Sequence, residues 1–291
     1  MSQGSGSRGT FSIVAYDPEE QEWGIGVQSK FLAVGSAVPW ARAGVGAVAT
    51  QSWANTSYGP RGLAMMDKGM SAQEVVVRLT DEDKDRAVRQ VGVVDAKGNA
   101  AAFTGDDCFD WAGHIVGHNY ACQGNILVSE DTVKAMAQTF GETQGALPDR
   151  LLAALLAGQK AGGDRRGQQS AALLVVREGG GLGGFNDRYV DLRVDDHIAP
   201  IEELAHLLKL RNLYLGETDP NNLVKIEGKV ASEIQEILTR TGYYQGPATG
   251  AYDAGTKQAL SELVSIENLG ERWRDDDLLD GVILDFVQER F

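Results

Sequence analysis

Short connections between β-strand segments constrain this fold most. The segment Thr10–Tyr16 is rich in β-branched and aromatic residues and has the alternating pattern of a β-strand. This strand ends at Asp17-Pro18, a turn sequence, and a second strand follows over Trp23–Ser29. Further strands are predicted at 44–51, 90–95, 99–104, 120–128, 169–177 and 188–194. Because links of a few residues join only antiparallel neighbours, the sequence predicts antiparallel sheets built from hairpins.

Helical patterns separate these strands in pairs. Pro60 suits the first turn of one helix, and Ser71-Ala72-Gln73-Glu74 has the pattern of a capping box that opens the next. A second pair is predicted near 131–140 and 148–160, and a further helix after Pro200. The order of strands, two helices, strands, two helices, strands and a helix favours an α+β fold over a doubly wound one.

The last quarter of the chain has a different pattern. A polar stretch, Gly216–Asn222, precedes three amphipathic segments, and the third contains Leu279 and is entered through Asp275-Asp276-Asp277. We therefore expect a flexible leader at 1–9, a mixed domain at 10–215, a linker at 216–224 and a small helical module at 225–291.

Charge and composition exclude several classes of function. The net charge is −14, and residues 213–291, with 15 acidic and 7 basic residues, carry −8 of it. Such a surface repels a phosphate backbone, so no nucleic-acid partner is expected. The sequence has no apolar run approaching the ~18 residues that suit a membrane span, and the first nine residues lack the apolar core of a signal peptide. Two cysteines fit a reducing compartment, so a cytoplasmic location is expected, without a membrane partner.

Ten segments of the chain, in order, resemble the DUF1028 family of bacterial and archaeal proteins. These segments are Thr10–Ala15, Ser29–Gly35, Val38–Ala41, Ala47–Gln51, Tyr58–Gly62, Arg89–Gly92, Trp111–His114, Gln123–Asn125, Gly163–Ser170 and Val190–His197. The resemblance places the chain in the N-terminal-nucleophile (Ntn) hydrolase superfamily. It implies a four-layer αββα sandwich, in which two antiparallel sheets lie between paired helices.

The resemblance also implies a chemistry for Thr10. In an Ntn enzyme the first residue of the mature chain attacks a carbonyl while its own α-amine carries the proton. Thr10 opens the first strand after the small residue Gly9, which would permit self-cleavage. Nine residues precede Thr10 in this sequence, and an uncut chain has an amide in place of the catalytic amine. Processing before Thr10 is therefore required.

Other candidate catalytic residues flank the predicted strands. Lys30 follows the second strand and is expected to tune the α-amine, or else to be a surface lysine packed over its neighbour. Gln51 and Asn55 lie where Ntn folds often supply oxyanion donors; capping of the next helix by Asn55 or Ser57 is the alternative.

Substrate-binding candidates come from two later motifs. Gln123 and Asn125 place two amides around one glycine, with Asn125 a further oxyanion donor; turn chemistry is the alternative. Asp164, Arg165 and Arg166 follow a helix end, where an arginine fork would bind a carboxylate unless it pairs internally with Asp164.

No metal or cofactor is expected. His114 and His118 have a ligand-like spacing, but the glycines before each argue against the helix that would align them for zinc. His114 is kept as a substrate-binding candidate. Cys108 and Cys122 are expected to be reduced, buried thiols.

Two functions remain open from the sequence. The first is hydrolysis of an amide-like C–N bond in a small, polar molecule, with Thr10 as nucleophile, by a protein expected to be a homo-oligomer. The second is a non-catalytic ligand-binding or assembly protein on the same scaffold with a blocked N-terminus. The segment from Glu233 to Leu260 also resembles a peptidoglycan-binding three-helix module. Cell-wall binding is the weakest of these predictions, because we see no export signal.

Overall fold

The computed structural model describes residues 9–291, which form two units that divide between Leu207 and Leu208. The predicted leader therefore lies almost entirely outside the described residues. In the first unit, one antiparallel sheet contains six strands: β1 Thr10–Asp17, β2 Glu22–Ser29, β7 Gly113–Gly117, β8 Tyr120–Asn125, β9 Ser170–Val176 and β10 Arg188–Val194. Their order in the sheet is β10-β9-β2-β1-β8-β7.

A second antiparallel sheet contains β3 Pro39–Arg42, β4 Gly46–Ser52, β5 Arg89–Asp95 and β6 Ala100–Thr104. These strands are paired in chain order, β3-β4-β5-β6. The sheets pack face to face through small and β-branched residues, among them Val14, Val27, Ala47 and Ala49. Alternate residues of each strand point into this interface, so every second residue of β1 and β4 is committed to it.

The helices of this unit are α1 Tyr58–Met66, α2 Ala72–Asp81, α3 Asp131–Glu142 and α4 Leu147–Lys160, followed by α5 Pro200–Leu215, whose residues from 208 onward belong to the second unit. The helices α1 and α2 cover the outer face of the four-stranded sheet, where Val75 and Leu79 pack against Val48 and Val91. The helices α3 and α4 cover the six-stranded sheet. Gly26 of β2 admits Leu155 of α4, since a Cβ at Gly26 would lie 3.2 Å from that leucine.

The expected order of strands and paired helices, and the α+β class with antiparallel sheets, are confirmed. The capping box at Ser71 and Glu74 is also confirmed, because each residue bonds the backbone N–H of the other. The short strands β3 and β7 were not predicted. In addition, β8 ends at Asn125 and not at Val128.

The second unit contains α6 Gly228–Arg240, α7 Ala254–Ile266 and α8 Gly281–Arg290, with a small antiparallel pair of β11 Leu223–Lys225 and β12 Leu278–Asp280. The prediction for its third helix was wrong in one respect. Leu279 lies in β12, and Asp280 caps α8 by accepting from the N–H of Val282 at 2.8 Å. The expected start at Asp275-Asp276-Asp277 precedes β12, because pairing with β11 holds the intervening residues extended.

Across residues 9–291, no helix is both long and apolar enough to cross a bilayer.

Candidate functional site

Thr10 lies between two polar neighbours at one end of the six-stranded sheet. It pairs in register with Ser29 of β2 on one side and with Asn125 of β8 on the other. Directly paired residues of antiparallel strands share a face. Ser12, two residues along β1, bonds Gln51 of the opposite sheet, so this row of side chains faces the interface between the sheets. All three residues of the row are buried.

The carbonyl oxygen of Gly9 accepts hydrogen bonds from three groups around Thr10. The donors are Thr10 Oγ1 at 2.6 Å, Ser29 Oγ at 2.5 Å and Arg166 Nη2 at 2.8 Å. The two hydroxyls also lie 3.0 Å apart. A guanidinium and a hydroxyl on one carbonyl oxygen withdraw electron density from its carbon and would stabilise negative charge on the oxygen.

Asp164 holds Arg166 in this position. Arg166 donates from Nε to Oδ1 at 3.0 Å and from Nη2 to Oδ2 at 2.7 Å, which is a two-point ion pair on a carboxylate that is 2% exposed. The backbone N–H groups of Arg166 and Lys30 bond the same carboxylate. The internal Arg–Asp pair is thus formed, and it also reaches Gly9. Arg165 points elsewhere, because its Nη2 bonds the carbonyl of Asp110 at 2.8 Å.

Lys30 does not take the position beside Thr10 that the sequence suggested. It lies one residue beyond the register partner of Thr10, is exposed, and donates from Nζ to the carbonyl of Gln168 at 3.1 Å. Successive residues of a strand face opposite sides, so Ser29 occupies the expected place.

Buried amides connect the two sheets behind Thr10. We name Ser12, Gln51, Gln90, Gln123 and Asn125 the inter-sheet polar cluster. Gln123 Nε2 donates to Ser12 Oγ at 2.7 Å, Ser12 Oγ to Gln51 Oε1 at 2.5 Å, and Gln51 Nε2 to Gln90 Oε1 at 2.8 Å. Gln90 Oε1 also accepts from Asn125 Nδ2 at 3.0 Å. The cluster therefore fixes Gln51 and Asn125 with respect to β1.

His114 lies at the outer end of this network. Gln90 Nε2 donates to Thr104 Oγ1 at 2.9 Å, and Thr104 Oγ1 lies 2.9 Å from His114 Nδ1. The hydroxyl proton of Thr104 can then point to Nδ1. Desolvation lowers the pKa of His114. The histidine is thus tied to the cluster through Gln90.

Two acceptors of the cluster have no protein donor. Gln123 Oε1 and Asn125 Oδ1 are buried without a hydrogen-bond partner among the described residues, and both side chains are 0% exposed. Buried polar atoms of folded proteins are paired in the great majority of cases. Asn125 Oδ1 is therefore a candidate acceptor for an N–H of a ligand or for water, next to Thr10.

Two strand ends beside the site have left-handed backbone conformations. Ser52, directly after Gln51, has φ 69°, and Ile126, directly after Asn125, has φ 53°. Such values are unusual for a β-branched residue such as isoleucine. The backbone of Ile126 is held by hydrogen bonds from its N–H to Phe109 and from Arg165 N–H to its carbonyl. Strained positions cluster at functional sites, which singles out these two strand ends.

Asn55 belongs to a separate network. Its Oδ1 accepts from the Ser57 N–H at 3.2 Å, and its Nδ2 donates to Asp83 Oδ2 at 3.0 Å. The capping alternative was wrong, because Ser57 is the N-cap of α1 and neither its side chain nor that of Asn55 caps the helix. Asp83 Oδ2 also accepts from Tyr58 and from Arg89 Nε. Burial opposes the ionisation of Asp83, but the hydrogen bonds from Asn55 and Arg89 outweigh it and hold its pKa well below the usual range. This network fixes the β4–α1 loop.

Metal ligands do not gather at any point of the described chain. Residues 9–291 contain no group of three or more His, Cys, Asp or Glu side chains placed to hold an ion. His114 lies in β7 and His118 in the turn after it. Cys108 and Cys122 are free and buried as expected, and burial raises the pKa of both thiols.

Ser29, Ser12 and Gln90 were not among the residues selected from the sequence. Ser29 was accessible by counting, because the turn at Pro18–Gln21 pairs Asp17 with Glu22 and hence Thr10 with Ser29. Gln90 is the second residue of β5, a strand that is distant in sequence from Thr10, so no local pattern marks it.

Comparison with known proteins supplies a family. A family model described as "Family of unknown function (DUF1028)" matches residues 10–204, and one described as "Putative peptidoglycan binding domain" matches residues 214–287. The crystal structure of a DUF1028 protein from Silicibacter pomeroyi is similar at 32% identity and a TM-score of 0.65, covering 72% of this chain and 91% of that one. No curated protein matches.

Proposed function

The chain belongs to the DUF1028 family, and on that premise we propose that its mixed domain is an Ntn hydrolase of an amide-like C–N bond in a small, polar substrate. The placement of two antiparallel sheets between helix pairs supports the Ntn sandwich as its architecture. Thr10 at the first position of a central strand supports the nucleophile.

The observation that carries the proposal is that the carbonyl oxygen of Gly9 accepts three hydrogen bonds, from Thr10, Ser29 and Arg166. In the uncut chain, Thr10 Oγ1 attacks the Gly9 carbonyl carbon, and Ser29 and Arg166 stabilise the oxyanion. A C–O bond forms, the Gly9–Thr10 C–N bond breaks, and the hydroxyl proton ends on the new amine. Water then hydrolyses the ester, which releases a carboxylate at Gly9 and leaves Thr10 with a free amine and a free hydroxyl.

The freed amine supplies the base that Thr10 lacks before cleavage. An α-amine titrates near pH ~8, so part of it is unprotonated at neutral pH. It accepts the Thr10 hydroxyl proton as Oγ1 attacks the substrate carbonyl, and it passes that proton to the leaving nitrogen. Water then attacks the acyl-enzyme ester and regenerates the hydroxyl. Asn125 Oδ1 is an acceptor for the amine, and Gln51 positions β1 by donating to the Thr10 carbonyl at 3.3 Å.

A ligand-binding or assembly protein with a blocked N-terminus is the second candidate. The same contacts that activate the Gly9 carbonyl also hold the uncut chain firmly in the site, because Gly9 is itself buried against Asp164. For residues 225–291 we propose a regulatory or intersubunit role, since their acidic surface does not favour an anionic glycan. The cytoplasmic location and the homo-oligomer stay predictions.

Three proteins test the hydrolase. They are the full chain, a chain that begins at Thr10 after removal of methionine, and the latter with Thr10→Ala, each checked by intact mass and assayed on small amides and ureides. We expect activity in the second protein alone. Equal activity in a full chain shown by mass to be uncut would rule out the α-amine as base. Inactivity of all three would favour the ligand-binding protein.

A further inference from the structure

Gly9 marks where the acyl group of a substrate lies. This inference rests on the proposed function, because it requires that Thr10 attacks the substrate carbonyl as it attacks that of Gly9. Ser29 Oγ and Arg166 Nη2 both donate to the Gly9 carbonyl oxygen, so a substrate carbonyl that is attacked by Thr10 Oγ1 and uses the same two donors lies where the Gly9 carbonyl lies. The α-carbon of the substrate then lies about 1.5 Å from it, where the Cα of Gly9 now lies.

The surroundings of Gly9 Cα leave no room for a side chain. A Cβ built on Gly9 would lie 2.7 Å from Asp164 Oδ2, 2.8 Å from Oδ1 and 2.9 Å from Cγ. Carbon does not approach a carboxylate this closely, so either the substituent or Asp164 would have to move.

Asp164 is poorly able to move. Its side chain is fully buried in the ion pair with Arg166. Oδ1 accepts from the N–H and Nε of Arg166, and Oδ2 accepts from Nη2 of Arg166 and from the N–H of Lys30. A carboxylate has about four acceptor positions, and these four bonds fill them. Displacing the carboxylate would break several charge-assisted bonds, and a polar substituent would find no acceptor position left.

We propose that the Gly9 subsite, formed by Ser29, Asp164 and Arg166, selects acyl groups with an unbranched, glycine-like α-carbon. The substrate carbonyl oxygen accepts from Ser29 Oγ and Arg166 Nη2, and the α-carbon packs against Asp164. The product carboxylate occupies the same place and meets the same guanidinium. In the uncut chain Gly9 fills the subsite itself.

Binding of product-like acids tests the subsite without turnover. The probes are N-acetylglycine and N-acetyl-L-alanine, titrated by calorimetry into the protein that begins at Thr10 and into full chain confirmed as uncut by mass. The methyl group of the alanine derivative is expected to weaken binding by about 10-fold or more, as overpacking of a tight site does. The uncut chain is expected to bind neither acid.

Arginine variants identify the contact. Arg166→Lys keeps the positive charge but loses the two-pronged guanidinium, so it should weaken the binding of N-acetylglycine by about 10-fold. The matched control is Arg188→Lys, since Arg188 is exposed and pairs with Asp191. Thermal melts establish that each variant is folded. If Arg166→Lys does not fold, Ser29→Ala replaces it, because Ser29 is the other donor to the carbonyl oxygen.

The outcomes separate this inference from the hydrolase. Equal binding of the two acids, or binding of neither to the processed chain, would overturn the subsite. Selective binding without hydrolysis of any amide would keep the subsite and reject the enzyme. Hydrolysis of L-alanyl amides as fast as glycyl amides would keep the enzyme and overturn the subsite.

Discussion

The two units both bury polar side chains, but they use them differently. In residues 208–291, Arg272 is 5% exposed and pairs with Asp280 at 2.7 Å, and it also donates to the carbonyls of Asn212, Leu213 and Glu217. Its donors thus tie the C-terminal part of α5 and the start of the predicted linker to the unit.

The inter-sheet polar cluster of the first unit differs in having acceptors without a donor. Its amide N–H groups bond other members of the cluster and several backbone carbonyls, but two of its acceptors have no partner among the described residues. Gln235 of the second unit, by contrast, donates to the Ala251 carbonyl at 2.9 Å and accepts from the Gly250 N–H at 3.0 Å. Buried polar groups that bond the backbone hold a fold, whereas unpaired acceptors beside a candidate nucleophile are suited to a ligand.

The largest expected effect tests whether the buried Arg272–Asp280 pair holds the second unit together. Arg272→Ala leaves the carboxylate of Asp280 buried without its cation, which typically costs about 3–5 kcal/mol. We expect the second unit to unfold at markedly lower urea concentration while the first keeps its transition, as monitored by calorimetry and circular dichroism.

Arg274→Ala is the control for that experiment. Arg274 pairs with Asp276 on the surface, where solvent screens the pair, so its loss should leave the unfolding transition of the second unit nearly unchanged. If Arg272→Ala behaves like this control, the ion pair does not hold the unit.

A smaller effect is expected within the inter-sheet polar cluster. Gln51→Leu removes the acceptor of Ser12 and a donor to Gln90, which should cost about 1–3 kcal/mol. Urea unfolding measures the loss of free energy of unfolding, and Gln73→Ala, a substitution at an exposed residue, provides the reference. A cost in Gln51→Leu no larger than in the reference would show that the cluster adapts, which structural polar groups rarely do.

The smallest expected effect is a pH dependence. The pKa of Asp83 is lowered in the folded state, so its contribution to stability is fully present above its usual pKa, about 4, and decreases progressively as the pH falls from there toward the lower folded-state pKa. Asp83→Asn should therefore lower the melting temperature at pH 7 more than at pH 3. A unit of this size loses about 2–4 °C for each kcal/mol. An equal decrease at both values would contradict a role for the ionised carboxylate.

Local patterns were sufficient for most of the first unit. Alternation over Thr10–Tyr16 and the capping box at Ser71 specify a strand and a helix start by themselves, and both were placed correctly. The strands β3 and β7 were not found, because each is short and only partly buried, so its alternation is weak. Leu279 was assigned to a helix since its apolar spacing fits one, whereas its pairing partner Val224 is distant in sequence.

The residues of the candidate site could be predicted only in part from local sequence patterns. Asp164, Arg166 and Asn125 were selected as candidates, but the contact of Arg166 with the Gly9 carbonyl joins residues 157 positions apart. Arg165 and Arg166 are adjacent in the chain, and only the backbone path after Asp164 decides which of them reaches that carbonyl.

The sequence by itself determined the antiparallel hairpins, the paired helices and Thr10 as the first residue of the first strand, because these depend on spacing within a few residues. Only the tertiary structure decided that Arg166 and not Arg165 reaches the Gly9 carbonyl, and that Asp164 closes the space over Gly9. Those contacts depend on the packing of segments that are distant in sequence, which local residue patterns do not encode.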